Sequence, residues 1–128
     1  MHTPDARTIE EVCEFLGVTP QDLVKTLIYI TDRGVVAALV RGDHEVNEAK
    51  LRRAAGCETL ELADEAVIEK YTGAPRGFAG PVGLKVLTIA DFGLLESGPF
   101  VTGANEQDYH LKNVWLSRDA KIDVIADI

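Results

Sequence analysis

The stretch TLIYITDRGVVAALV, residues 26–40, decides how the chain folds. Two apolar runs rich in β-branched residues flank Asp32-Arg33-Gly34, the composition of a strand, a tight turn and a second strand. Upstream, RTIEEVCEFLG spaces Ile9, Val12 and Leu16 for one helical face. Thr8 with Glu11 makes a capping-box pair there, and Gly17 is placed to end the helix. TPQDLVK, with Thr19 at the cap and Pro20 at the first helical position, predicts a second short helix. Downstream of the hairpin, VNEAKLRRAAG predicts a helix from Asn47 to Gly56, TLEL a short strand and DEAVIEKYTG another helix. LKVLTIA and PFVTGA read as strands on either side of Asp91, and the tail from Tyr109 adds one or two more. Hairpin-like pairs with helices between them give an α+β fold. The expected architecture is a mixed, mostly antiparallel, partly closed β-sheet with helices packed around it.

Composition sets the limits. At 128 residues, with 46% hydrophobic and 27% charged side chains, the chain has the length and apolar content of one folded domain. No apolar run approaches the roughly 20 residues of a membrane span. Cys13 and Cys57 lie in helix-like segments without C-x-x-C spacing, which predicts buried thiols in a reducing compartment. The net charge of −8 excludes a domain that grips nucleic acid along its length, because such surfaces are basic. A polynucleotide substrate would be touched only at its end.

Few residues carry chemistry. Lys25 enters an apolar strand, either as a cation facing a pocket or with its stem laid along the surface. His110 is a structural ring or a proton donor and acceptor near neutral pH. Asp91, after LKVLTIA, caps a turn or stands at a pocket rim, and His44 reads as a solvated loop residue. No His, Cys and carboxylate set has metal-ligand spacing, and no Gly-x-Ser-x-Gly elbow is present. The glycine- and proline-rich stretch TGAPRGFAGPVGL, residues 72–84, lacks both the P-loop and the dinucleotide pattern. Within it, Gly77 to Pro81 forms a G-x-x-x-P element. That element is a connecting loop, or a set of amides converging on one oxygen to stabilise an oxyanion.

Taken together, residues 3–29, GFAGPVGL, TGANEQDYHLKNV and the closing DVIADI resemble the insertion domain of bacterial-type prolyl-tRNA synthetase. That domain is a member of the YbaK-like family of aminoacyl-tRNA editing domains, and the resemblance runs from Thr3 to Ile128. It implies a deacylase that removes alanine from mischarged alanyl-tRNA(Pro) after transfer, because a proline site cannot strongly exclude a smaller amino acid. It implies a domain cut from a longer cytoplasmic enzyme, needing no cofactor or metal and no membrane. Its partners would be the aminoacylated 3′ end of tRNA(Pro) and the remaining synthetase domains. A freestanding deacylase acting in trans on alanyl- or cysteinyl-tRNA(Pro), or a non-catalytic insertion, are the other readings.

By the same resemblance Ile9 and Val12 line a small pocket beside Lys25, with Val12 where the family often carries a larger aliphatic residue. Lys25 matches the lysine beside the terminal adenosine and ester. Thr3, Asp91 and His110 match polar positions around the substrate. Gly77 and Pro81, with Phe78, Ala79 and Gly80 between them, match the loop whose amides hold the aminoacyl carbonyl. The attacking water would be positioned by a ribose hydroxyl, by His110 or by Lys25.

Overall fold

The computed structural model describes residues 2–74, 78–96 and 98–128. Its centre is the hairpin: β1 (Val24–Thr31) runs antiparallel to β2 (Gly34–Arg41), from Val24 opposite Arg41 to Thr31 opposite Gly34. Gly34 sits at φ +117°, and the Thr31 hydroxyl locks the turn by donating to Gly34 O at 2.7 Å and accepting from Arg33 N at 3.0 Å. The Asp32 carboxylate accepts from the amides of Thr59 and Glu58, which holds it below the usual carboxylate range. These bonds tie the turn to the approach of β3 (Leu60–Leu62).

The helices begin and end where their caps dictate. In α1 (Ile9–Leu16), Thr8 and Glu11 exchange the two capping-box bonds at 3.1 and 3.2 Å, and Gly17 closes the helix at φ +68°. Asn47 caps α2 (Glu48–Ala55), and Asp64 caps α3 (Glu65–Thr72) by accepting from Val67 N at 3.0 Å. The helix expected from TPQDLVK is instead one 3-10 turn, Pro20–Asp22. Leu23 is already extended, and Leu23 and Val24 are buried, so pairing of these apolar residues in sheets outweighs the helical signal. Cys13 is half-buried, with its thiol pushed up by burial and then by Asp22 and Glu10, and Cys57 lies buried just past α2.

Five strands form the main sheet in the order β3-β1-β2-β4-β7, with β4 at Leu87–Asp91 and β7 at Val124–Ala126. The β2–β4 and β4–β7 ladders are parallel and the β1–β2 and β1–β3 ladders antiparallel. A second, two-stranded antiparallel sheet pairs β5 (Phe100–Gly103) with β6 (His110–Val114). The expected partial closure does not occur. Among the described residues the two sheets are joined by one bridge, Leu23 to Val101. The tail, expected to add one or two strands, yields two and also a helical turn, α4 (Leu116–Asp119).

Both faces of the central strands are covered, as expected where parallel ladders occur. Val36, Ala38, Val40 and Ile89 pack with the fully buried Leu51 of α2. On the opposite face Ile28 and Ala37 meet Ile68 of α3, while Leu39 and Ala90 meet Phe100, Val114 and Leu116. Among the described residues no helix is long and apolar enough to cross a membrane.

Candidate functional site

The site begins at an unfinished edge. β3 pairs only with Tyr29–Thr31, so the first half of β1 has no ladder on its outer side until β5 touches it at Leu23. Into that gap opens a cavity of about 270 Å³. Its walls are Ile9 and Val12 of α1, residues 23–27 along β1, Ala79 from the glycine loop, residues 101–103 of β5 and His110. This volume falls just below the roughly 300–1,000 Å³ of drug-sized ligand sites, so it admits one small group.

Polar groups are few and placed at the walls. Lys25 lines the cavity with its side chain 17% exposed, and its Nζ meets Glu45 Oε1 at 3.4 Å, a pair that is weak because Glu45 is fully in solvent. His110 is buried, its Nδ1 hydrogen-bonded to the Thr3 hydroxyl at 2.5 Å. Thr3 is itself fully buried and fixed by its N–H donating to Asp108 O at 2.6 Å. Phe78, also fully buried, places its ring 5.4 Å from the imidazole, centroid to centroid. The Thr26 hydroxyl is buried in the cavity wall without a hydrogen-bond partner. Leaving such a group unpaired costs about 1–3 kcal/mol until a ligand satisfies it.

The glycine loop is held by close backbone packing and one asparagine. A Cβ on Gly80 would stand 1.7 Å from Gly103 O, and one on Gly103 would stand 2.1 Å from Ala79 O, so only two glycines let these backbones touch. Asn105, at φ +58°, accepts from Gly80 N at 2.8 Å and donates to Gly80 O and Val82 O at 3.0 and 3.2 Å. Its own N–H donates to Phe78 O at 2.7 Å. The Gly80 amide is therefore committed, and Pro81 has none. Within residues 78–81, the Phe78 and Ala79 amides have no acceptor among the described residues. Gly77, the first residue of the expected clamp, lies outside the described residues.

The structure thus brings Lys25, His110, Ile9, Val12 and Ala79 to one cavity, with Thr3, Phe78 and Gly80 directly behind it. Asp91 is not among them. Its Oδ1 accepts from Ile128 N at 3.3 Å, and it lines a separate recess with His44, Lys50 and Asp127. Asp91 thus stands at a different recess from the one Lys25 and His110 share, because β4 ends on the far side of β2 from the open edge of β1. Sequence reasoning missed Arg7, Thr26, Gly103 and Asn105. The TGAN segment, residues 102–105, carried the signal for the last two: a glycine and a residue tolerant of positive φ. No group of three or more His, Cys, Asp or Glu among the described residues is arranged to hold a metal ion.

The family model described as the aminoacyl-tRNA editing domain matches residues 3–119. The proline–tRNA ligase of Syntrophus aciditrophicus is 55% identical over 129 residues, covering 100% of the chain and 22% of that protein. The same enzyme from Geobacter sulfurreducens is 52% identical over 128 residues, with the same coverage. The chain therefore spans about a fifth of the length of these relatives. Among solved structures, hypothetical protein APE2540 superposes with a TM-score of 0.82 at 27% identity, over 99% of the chain and 87% of its own. A proposed trans-editing enzyme for prolyl tRNA synthetase gives 0.79 at 22% identity, over 100% and 85% respectively, a likeness of fold.

Proposed function

The chain belongs to the aminoacyl-tRNA editing domain family, and from that premise we propose that it hydrolyses the ester of mischarged alanyl-tRNA(Pro), in cis within a cytoplasmic prolyl-tRNA synthetase. The observation that carries this reading is the convergence of Lys25, His110 and Ala79 on one small apolar cavity walled by Ile9 and Val12. The alanyl methyl lies against Ile9 and Val12, where the larger proline ring is refused. The match to about a fifth of each proline–tRNA ligase supports action in cis.

Water attacks the ester carbon. The carbonyl oxygen becomes a tetrahedral oxyanion that accepts from the Ala79 amide. The charge develops against walls that are mostly apolar, where such donors count most. The Lys25 ammonium stabilises the same charge from the opposite wall. On this reading His110, its ring fixed by Thr3, orients the water, and the proton the water loses passes to the departing ribose oxygen. Alanine and uncharged tRNA leave.

Deacylation of alanyl-, cysteinyl- and prolyl-tRNA(Pro) by the 128-residue chain tests the reading, with Lys25→Ala beside it. The expected result is hydrolysis of the alanyl ester, no action on the prolyl ester and a roughly hundredfold slower variant. Equal rates for wild type and variant would remove Lys25 from the chemistry. Prolyl-tRNA hydrolysed as fast as alanyl-tRNA would end the size-exclusion account.

A further inference from the structure

Arg7 has no part in the reaction as described, yet it lines the same cavity. Its guanidinium carbon stands 5.8 Å from the centroid of the Phe78 ring. Phe78 is fully buried and packed on the His110 imidazole, so this cation rests on a rigid platform next to the site. Asp5, Glu10 and Glu11 are close in sequence, but among the described residues no carboxylate comes within ion-pair distance of Arg7. Glu11 is turned to the Thr8 amide instead. Lys25, the other cation at the cavity, has the solvent-exposed Glu45 at 3.4 Å.

The charge pattern of the cavity is unlike that of the chain. The chain carries 21 acidic against 13 basic residues, but the cavity is lined by Arg7 and Lys25 and by no carboxylate. A pocket of positive potential in an acidic domain selects a ligand that brings negative charge close to its uncharged reactive group. An alanyl ester on a ribose has no charge of that sign. The phosphodiester joined to that ribose does.

We propose that Arg7 binds the phosphate on the 5′ side of the terminal nucleotide, and so makes the site select an aminoacyl ester carried on a polynucleotide end over a free ester. The inference rests on the ester-hydrolase reading of the cavity. A guanidinium suits the task because its planar fork gives two parallel hydrogen bonds to a phosphate and stays charged at every working pH. The Phe78 ring beneath it favours the guanidinium at this wall of the cavity.

The test uses two probes that cannot be hydrolysed: 3′-deoxy-3′-alanylamido-adenosine with and without a 5′-phosphate. Their binding to the 128-residue chain and to Arg7→Gln is measured by calorimetry, with the melting curve of the variant as a folding control. Wild type is expected to bind the phosphorylated probe about tenfold tighter, as one charge-assisted contact gives. Arg7→Gln is expected to bind both probes alike, at the affinity wild type has for the unphosphorylated one. A variant that keeps the tenfold preference overturns the proposal. So does an equal loss for both probes, which would make Arg7 a support for Phe78. Wild type that cleaves alanyl-tRNA but shows no phosphate preference defeats this proposal alone, and wild type that neither cleaves nor binds defeats the hydrolase reading with it.

Discussion

At the scale of single residues, the contact between Gly80 and Gly103 sets the shape of the cavity wall. Each lies where a methyl group would enter the other's backbone, at 1.7 and 2.1 Å from a carbonyl oxygen. Gly80→Ala cannot be relieved by a rotamer change, because the obstruction is main chain. Its expected cost is about 3 kcal/mol or more in urea denaturation, with loss of ester hydrolysis as Ala79 moves. Gly83 provides the contrast. It has φ +77° but nothing within 4 Å of a new Cβ, so Gly83→Ala should cost only the left-handed backbone penalty of about 1–2 kcal/mol. Similar losses at both positions would show that conformation, and not the close approach, constrains the loop. The G-x-x-x-P pattern was legible in sequence. That Asn105 clamps it was not, since TGAN marks only a turn, and the pairing spans 25 residues and depends on how β5 meets the loop.

At the scale of elements, what could be read was what is local. The capping box of α1, the Asp32–Gly34 turn and the glycine stops of α1 and α2 stand where their residues placed them. What could not be read were the outcomes of competition between local and distant contacts. Leu23 leaves its helical signal for a bridge to Val101, and the parallel β2–β4 and β4–β7 ladders arise from crossovers that no short motif announces. The helical turn α4 is a third case. It is held by Asp119, whose carboxylate accepts from Arg118 and from the Trp115 amide. These partners, Arg118 first, lower its pKa to about 2.

The sign follows from linkage. A depressed carboxylate contributes stability that is fully present above its unfolded pKa near 4 and is lost as pH falls through about 2. Trp115, the sole tryptophan and exposed at the start of this turn, is the natural probe. The stability difference between wild type and Asp119→Asn is expected to stay constant above pH 4 and to shrink toward pH 2. The Trp115 emission of wild type should follow the same course. A difference that already collapses between pH 6 and 5 would assign the effect to another group.

At the scale of the whole molecule, the charge of −8 and the cationic cavity impose opposite demands on one substrate. The terminal nucleotide is attracted over a few ångströms by Arg7 and Lys25. The body of a tRNA meets an acidic surface across tens of ångströms, and that repulsion is screened with a Debye length near 8 Å at 0.15 M salt. On the proposed activity, the isolated chain should therefore treat a short alanylated acceptor stem at least as well as full alanyl-tRNA at about 0.01 M salt, where the Debye length is near 30 Å. Raising the salt to 0.15 M should bring the two kcat/KM values together, by improving the long substrate relative to the short one. Were the full tRNA strongly preferred at low salt, the domain would have to hold the tRNA body itself. The division of labour, with this domain reading the charged end and other domains gripping the body, would then fail.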